Sequence, residues 1–432
     1  MKRLIYSSLL AFTLTVLGQN KPVKFYLSKD STNYLQLNGL GQVWGRYTQA
    51  NPGSTIKGEE LDHIFDIGIR RWRFVIQAQL SKKTFFYTQF GQNNFNFRSP
   101  KYVGSFFHDA FGEYHFLEKK FAMGIGLSGW NGLSRFSSPS IGTMLPLDVP
   151  VYQQTTNGVN DQWVRKLSIH AKGLIGKLNY RVAITNPMMV NETSVGYDTN
   201  LYQDRTTFSI RSPKPQFQGY FIWHFKDTEY SLNPYNKGTY LGEKEIVNLG
   251  FGFLQQKDAM WMLNENNDTT FHQFMALGAD IFIDKPTNEN HAITIYGAYH
   301  YFDYGKNYIK NVGVMNPFGG SNRGDILNGT GNAYPLLGTG SSFYGQLGYL
   351  FKNIGKQKAG LQPYLVFHIA NYEALDELMG SFNIGANYLI HGQRGKVSLD
   401  LQNRPVYEIA PDETNSVSSR MNMVVLQYQL TF

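Results

Sequence analysis

The chain has 432 residues, of which 42% are hydrophobic and 17% are charged, and its formal net charge is +8. It contains no cysteine, which excludes disulfides and thiolate metal sites. The positive excess is mild and scattered, whereas nucleic-acid binding needs a basic stripe on one face, so no nucleic-acid partner is predicted. The 28 Tyr, 31 Phe and 43 Gly are typical of β-rich walls joined by tight turns.

The first twenty residues, MKRLIYSSLLAFTLTVLGQN, have the layout of a secretory signal peptide. Lys2 and Arg3 precede an apolar stretch from Leu4 to Leu17, and the small residue Gly18 follows it. This stretch is shorter than the roughly 20 residues of a spanning helix. We expect residues 1–18 to be removed on export, which leaves a short N-terminal segment at 19–33 and one domain at 34–432. An N-terminal membrane anchor is the alternative.

Apolar and polar residues alternate with period two in many segments beyond residue 33. In residues 176–186, Leu178, Tyr180 and Ile184 share one face, while Asn179 and Arg181 share the other. No later apolar run is long enough for a spanning helix, so any membrane crossing is made by strands. About sixteen candidate strands follow, an even number as in bacterial barrels: 34–49, 66–81, 84–97, 108–118, 121–130, 164–173, 176–186, 215–226, 245–257, 271–284, 291–304, 341–352, 360–373, 381–391, 396–408 and 420–432.

The predicted connections alternate between short and long. Short links lie around 81–83, 118–120, 173–176 and 391–395, and long ones near 131–163, 187–214 and 305–340. Short periplasmic turns and long extracellular loops are typical of outer-membrane barrels. The sequence therefore predicts an all-β fold, a transmembrane antiparallel β-barrel of about sixteen strands. Residues 227–244 are the exception, because they form a long link on the side of the short turns.

Three arginines lie within the segment DIGIRRWRFVIQAQL, residues 66–80, which otherwise reads as a strand. Alternation places Arg71 and Arg73 on the inner face, where a wide barrel encloses water, and Arg70 on the outer face near the extracellular end. Inward bases favour anions, because the low-dielectric wall focuses their field into the lumen. The alternative is that these bases pair with acids on neighbouring strands and brace the wall. The other predicted pore-lining residues are Arg46, Lys166, His170, Lys172, Arg181 and Arg404.

The long third external link, residues 131–163, contains many apolar side chains. Such content argues against disorder and requires a surface on which the loop can pack. Folding into the barrel supplies that surface and narrows the pore. Arg135 and Asp148 then become candidate charges of a constriction. An outer loop that grips a neighbouring subunit is the alternative.

The chain ends on MNMVVLQYQLTF, in which Tyr428, Leu430 and the final Phe432 alternate with polar residues. This ending resembles the terminal strand of Gram-negative outer-membrane β-barrels, a signature for the barrel-assembly machinery. With the sixteen strands, the long third loop and the segments GLSRFSSPS and VRKLSIHAKGLIGKLNYRVAITNP, the chain resembles general diffusion porins, and more narrowly the phosphate-selective porin O and P family.

The resemblance implies a homotrimer embedded in outer-membrane lipid. It implies passive diffusion of small polar or anionic solutes, phosphate among them, through a water-filled lumen, with no catalysis. The dense lysine cluster of a high-affinity phosphate site does not occur in the sequence.

Other motifs do not point to enzyme chemistry. GIGLSG at 124–129 fits the letters of a dinucleotide loop but lacks the helix that must follow it. No metal site and no cofactor are predicted. Two alternative functions stay open: a barrel that serves as partner subunit of a secretion or nutrient-uptake complex, and a barrel hydrolase.

Overall fold

Sixteen antiparallel strands close into a barrel in the computed structural model, which describes residues 23–191, 198–355, 359–411 and 413–432. The predicted signal peptide at 1–18 and residues 19–22 of the next segment lie outside the described residues. The barrel strands are β1 (Tyr34–Gln49), β2 (His63–Gln79), β3 (Thr84–Phe95), β4 (Phe106–Leu117), β5 (Phe121–Ser128), β6 (Lys166–Ile175), β7 (Leu178–Asn186), β8 (Gln216–His224), β9 (Ile246–Leu263), β10 (Thr269–Asn288), β11 (His291–Asp303), β12 (Gly340–Ile354), β13 (Ala359–Tyr372), β14 (Met379–Gln393), β15 (Gly395–Ile409) and β16 (Asn415–Thr431).

Each strand pairs with its neighbour in sequence, and β1 closes the barrel by pairing with β16. This seam runs from Leu40 opposite Thr431 to Thr48 opposite Met423. Closure leaves no strand edge unpaired, which a sheet in lipid requires. The prediction of a sixteen-stranded all-β barrel is confirmed, because every predicted segment overlaps one barrel strand. No helix within the described ranges is long and apolar enough to cross a bilayer.

The predicted alternation of faces is visible in the exposure of side chains along β16. Leu426, Tyr428 and Leu430 are about half exposed, at 53%, 46% and 49%, whereas Gln427 and Gln429 are buried. The outer surface is thus an apolar belt that suits lipid, and the polar side chains point into the barrel.

The connections differ between the two ends of the barrel. One end has short turns at 80–83, 118–120, 176–177, 289–290 and 394, and the other has long loops, including loop 3 (129–165) and loop 6 (304–339). We call the end with the long loops the outer end. The inner link, residues 225–245 between β8 and β9, departs from this rule as the sequence indicated. It is long and lies at the end of the short turns.

Short strands outside the barrel wall join these connections to one another. Residues Val23–Tyr26 form a hairpin with the start of β1. In loop 6, Ile309–Val312 pairs with Tyr334–Gly338. Within the barrel, Pro139–Ser140 of loop 3 pairs in parallel with Asn236–Lys237 of the inner link. A connection from each end of the barrel therefore reaches the same place in the interior.

Candidate pore constriction and basic cavity

Loop 3 lies inside the barrel, as predicted, and polar side chains of the wall bind its backbone. Lys396 Nζ donates to the carbonyl of Met144 at 3.1 Å, and Asn387 Nδ2 donates to that of Leu145 at 2.8 Å. Gln429 Nε2 reaches the carbonyl of Gly142 at 2.8 Å. Buried carbonyls need such donors, so the inward polar residues of β14, β15 and β16 hold the loop in the lumen.

The wall of β9 to β13 packs closely against loop 3. A Cβ added at Gly252 or at Gly278 would lie 2.4 or 2.5 Å from the carbonyl oxygen of Leu133, so only glycine allows this approach. Further along the loop, the Tyr152 ring stacks on His368 with 4.0 Å between centroids. These contacts belong to a large buried cluster of apolar and aromatic side chains. This half of the lumen is therefore packed with side chains.

The inner link enters from the opposite end and binds loop 3. Asn236 donates its backbone N–H to Ser138 at 2.8 Å and its side-chain amide to the Arg135 carbonyl at 2.9 Å. The Arg135 guanidinium forms two parallel bonds to Glu229, at 2.8 and 2.7 Å, and also donates to the carbonyl of Lys237. The sequence singled out Arg135 as a constriction charge. Its actual partner is a carboxylate of the inner link.

The ion pair of Arg135 and Glu229 lies outside the spanning strands, and both side chains are largely buried. Burial opposes ionisation of Glu229, but the charge of Arg135 outweighs burial and lowers the pKa of this carboxyl to about 2. Burial likewise disfavours the charged Arg135, yet Glu229 raises the pKa of this guanidinium above its ordinary value. Both groups are therefore charged at neutral pH.

The three arginines of β2 all point into the barrel, which corrects the outward orientation predicted for Arg70. On β1, Gln42 pairs with Arg71 and the next residue, Val43, pairs with Ile69, so Arg70 is an extra residue in a β-bulge. A bulge interrupts the two-residue alternation and lets consecutive side chains point to one side. Arg70 and Arg71 are accordingly both buried.

Asp148 of loop 3 is the shared partner of two of these arginines. It accepts from Arg70 at 2.9 and 3.0 Å and pairs with Arg71. Burial alone would raise the pKa of Asp148, but the charges of Arg70 and Arg71 outweigh burial and hold it below its ordinary value. One carboxylate thus neutralises one of two positive charges. Loop 3 is anchored to the wall by the residue that the sequence singled out.

A cavity of about 750 Å³ lies between β2, β3 and the inward loops. Its charged lining is basic apart from Asp161 of loop 3. Burial lowers the pKa of Lys310, in loop 6, to about 7 although Asp161 raises it, so this charge increases as the pH falls through neutrality. Tyr235 of the inner link lines the same cavity. Its basic lining residues are Arg70, Arg71, Arg73, Arg165 and Lys310.

Arg165 and Lys310 were not predicted from the sequence, since loop residues carry no alternation that fixes their direction. Asn93 and Asn94 of β3 were missed too, although they lie beside the arginines of β2. The one available signal was the position of Arg165 at the end of the long loop, directly before β6.

Three of the other predicted pore-lining bases contact acids of nearby strands. Arg46 Nε donates to Asp66 at 2.6 Å. His170 and Lys172 share Glu113 of β4, at 2.9 and 2.7 Å. For these three residues the arrangement matches the alternative given above, in which inward bases pair with acids on neighbouring strands and brace the wall.

The remaining three predicted bases have other surroundings. Lys166 Nζ donates to Thr156 of loop 3 at 2.6 Å and pairs with Asp161 of the same loop at 3.7 Å. The guanidinium of Arg181 lies 4.8 Å from the Trp130 ring centroid. Arg404 lines a second cavity of about 100 Å³, which shares four lining valines with the larger one. None of the six lies on the wall of the larger cavity.

The described residues hold no metal-ligand cluster, and the Ser–His hydrogen bond among them has no carboxylate partner. No group of three His, Cys, Asp or Glu side chains in these ranges is arranged to hold a metal ion. Ser342 Oγ lies 2.8 Å from His368 Nε2, but the other close neighbour of this imidazole is the stacked ring of Tyr152 rather than a carboxylate. The arrangement lacks the group that orients the base in a triad.

No family model matches the sequence, and no curated protein matches it. Solved structures do resemble its fold. The outer membrane channel DcaP of Acinetobacter baumannii has a TM-score of 0.50 at 11% identity and covers 95% of this chain and 100% of its own. Pseudomonas putida OprB has a TM-score of 0.51 at 11% identity, over 93% of this chain and 95% of that one. Salmonella typhi OmpF, solved in complex with daunomycin, has a TM-score of 0.51 at 9% identity, over 95% and 100% of the two chains. These likenesses show that the chain has the fold of outer-membrane porins.

Proposed function

We propose that the protein is a channel of the Gram-negative outer membrane that passes small hydrophilic solutes and prefers anions. The observation that carries the proposal is the basic cavity beside loop 3, where five bases line the wall together with a single acid, Asp161. Opposite charges in a low-dielectric enclosure attract strongly, so anions are concentrated there without any chemical step. The protein is then not an enzyme.

The remaining parts of the proposal follow from the barrel and the predicted leader. The signal peptide directs export, the barrel-assembly machinery inserts the strands, and the apolar belt lies in outer-membrane lipid. A homotrimer is the proposed assembly. Loop 3 sets the size limit, because it crosses the lumen and is bound to the wall at Asp148 and Met144.

A planar-bilayer measurement in a salt gradient tests the anion preference. The reversal potential of the wild type should have the sign of an anion-selective pore, and the double variant Arg71→Ser and Arg73→Ser should shift it toward cations. The double variant Lys82→Gln and Lys83→Gln, in an exposed periplasmic turn, removes the same number of positive charges and should leave the reversal potential unchanged. An unchanged potential in the double arginine variant would remove both arginines from the mechanism.

Anion preference should also be greater at pH 6 than at pH 8, because Lys310 gains its proton in this interval.

Selectivity for phosphate within the anions is a narrower proposal, suggested by the sequence resemblance to phosphate-selective porins. Inorganic phosphate added to a chloride solution should then reduce the chloride current at concentrations far below that of chloride. If phosphate reduces the chloride current no more than sulfate does, selectivity for phosphate is rejected and the protein is a general anion channel.

A partner subunit of an uptake or secretion complex is the second candidate function. The inner link favours it, because loop 3 and the link together fill much of the interior. In this case the isolated wild-type barrel should conduct poorly, and a variant in which a short turn replaces residues 228–243 should conduct well. Shortening the exposed loop at 264–268 is the control. A wild type that conducts as well as the shortened variant would contradict this function.

A further inference from the structure

The cavity of about 750 Å³ has two unlike walls. Arg70, Arg71 and Arg73 of β2 make one side basic together with Arg165 at the end of loop 3. The rest of loops 3 and 6 contributes many apolar side chains and one further base, Lys310. The volume lies in the range of about 300–1,000 Å³ that is usual for small-molecule sites. A uniformly charged lining would suit water and simple ions. A lining that is partly basic and partly apolar suits a molecule with an anionic end and an apolar end.

The basic side of the cavity has hydrogen-bond donors that no described residue satisfies. Arg73 is only 3% exposed, yet its Nε has no acceptor, and the same holds for Nε of Arg165. The other nitrogens of Arg73 donate to the carbonyls of Trp72 and Gln92 and to the Asn93 amide. Those of Arg165 donate to the Trp163 carbonyl and the Tyr235 hydroxyl. None of these acceptors is a carboxylate, and the two guanidinium groups repel each other. Burial closes the two Nε atoms off from the cavity, so what the cavity offers a ligand is the positive charge of the two side chains, which favours a group that carries negative charge.

The apolar side consists of aliphatic residues contributed by two separate loops. Val149 and Val151 of loop 3 lie near Val312 and Val314 of loop 6, and all four line the cavity. Val151 and Val312 are only partly buried, and both pack against the large apolar cluster while they line the cavity. Small inorganic anions gain nothing from such a surface. A hydrocarbon group would gain the free energy of leaving water.

We propose that this cavity binds amphiphilic anions, that is, small carboxylates or sulfonates with an apolar tail. The charged group lies against Arg73 and Arg165, and the tail lies against Val151 and Val312. This inference rests on the proposed function, since it names the solute class of the same channel. It adds that the channel prefers a solute with a tail over a small inorganic anion.

Equilibrium binding to the purified full-length protein tests the inference without depending on conductance. Isothermal titration calorimetry in a neutral detergent compares hexanesulfonate with methanesulfonate, which have the same charged group at every usable pH. Each buried methylene is worth about fourfold in affinity, so burial of two gives more than tenfold. We expect hexanesulfonate to bind at least tenfold more tightly. Hexyltrimethylammonium, with the same tail and the opposite charge, should not bind.

Two substitutions separate the charged end from the tail. The double variant Val151→Thr and Val312→Thr keeps the side-chain shape and should reduce the tenfold preference to less than threefold. Arg73→Gln should weaken both sulfonates by a similar factor. Val103→Thr, in an exposed outer loop away from the cavity, should change neither affinity. Heat-modifiable mobility on gels verifies folding of each variant, and Val312→Thr alone replaces the double variant if that one fails to fold.

The outcomes distinguish this inference from the proposed function. Equal affinities for the two sulfonates, or a preference that survives the valine substitutions, would overturn the inference. So would tight binding of the cationic analogue or of inorganic phosphate alone. If the wild type conducts anions but shows no such binding, the inference fails and the channel function stands. Binding with tail preference in a barrel that does not conduct would support the inference and reject the channel.

Discussion

Arg70 and Arg71, two of the bases that line the larger cavity, share the Asp148 carboxylate of loop 3. Asp148→Asn would leave both guanidinium groups without their partner and increase the positive field. Removing one member of a buried pair costs roughly 3–5 kcal/mol, and the 13% exposure of the Asp148 side chain favours the lower end. We expect a reversal potential shifted further toward anions and a lower unfolding temperature on heated gels. The control Asp62→Asn, at an exposed position, should change neither the reversal potential nor the unfolding temperature. An unshifted reversal potential in Asp148→Asn would contradict the role of Asp148 in neutralising Arg70 and Arg71.

The ion pair of Arg135 and Glu229 makes the attachment of the inner link depend on pH. The pKa of Glu229 is lowered from 4.5 to about 2, so its stabilising contribution is complete above about pH 5 and is lost as the pH falls toward 2. We expect pepsin to cleave the link, which contains Tyr230, Leu232 and Tyr235, increasingly over this interval. Mass spectrometry of the fragments measures it. The Glu229→Gln side chain cannot titrate. Cleavage of the inner link in this variant, divided by cleavage of an unfolded substrate to correct for the pH dependence of pepsin, should therefore not change with pH.

Residue directions could be predicted from the sequence only where the alternation is unbroken. Counting every second residue from Trp72 gives the outward set, and Arg71 and Arg73 lie between its members, so their inward direction could be predicted. The direction of Arg70 could not be, because a bulge is set by the register with β1 and leaves no mark in the residue order. Arg165 and Lys310 lie in loops, where contacts distant in sequence decide the direction of a side chain.

Among the elements, β2 and β3 carry the irregularity that brings the arginines together. Arg70 is unpaired on β1 and lies at the level of Asn94 on β3, which has a φ of 55°. Deleting Arg70 and Asn94 together should restore regular pairing while every lipid-facing residue keeps its side. We expect normal barrel assembly with a reduced anion preference.

A paired deletion within the regular part of the same hairpin is the control. Ile76 and Thr88 face each other on β2 and β3. Their removal would turn a section of β2 around and direct Arg73 toward lipid, which costs about 2–4 kcal/mol near the bilayer centre. This variant should assemble poorly. Equal assembly of the two paired deletions would contradict the bulge as the cause.

All sixteen strands could be predicted because a barrel in lipid imposes one rule along its whole length, apolar outside and polar inside. The inner link could be recognised as too long for its end of the barrel, but its position could not. Residues Asn236 and Lys237 find their partners about a hundred positions earlier, at Pro139 and Ser140, and local patterns do not encode such a contact. The packing of loop 3 was foreseeable in outline from its apolar content. The close contacts of the Leu133 carbonyl with Gly252 and Gly278 could not be predicted.

At the scale of the whole molecule, the barrel is closed where the chain ends. Phe432 exchanges backbone hydrogen bonds with Gly39, at 2.9 and 3.1 Å, and its ring covers the space that a side chain at Gly39 would occupy. Phe432→Ala should therefore reduce the amount of assembled barrel in cells, measured as the heat-modifiable fraction in outer membranes.

Refolding in detergent separates the two roles of Phe432. If the ring acts through recognition by the assembly machinery, Phe432→Ala should refold in detergent nearly as well as the wild type. Gly39→Ala should displace the exposed Phe432 ring, because its Cβ would lie 2.2 Å from the ring, and should therefore lower assembly in cells while still refolding in detergent. Equal loss of Phe432→Ala in cells and in detergent would assign the residue to closure alone.

The parallel pairing of Pro139–Ser140 with Asn236–Lys237 has a mechanical consequence for the cell envelope. A segment reachable from the periplasm is fastened by backbone hydrogen bonds to a segment that descends from the external surface. We expect force applied to the inner link to be transmitted to loop 3, which borders the cavity. The inner link and loop 3 thus form a continuous backbone connection between the two ends of the barrel, inside the lumen.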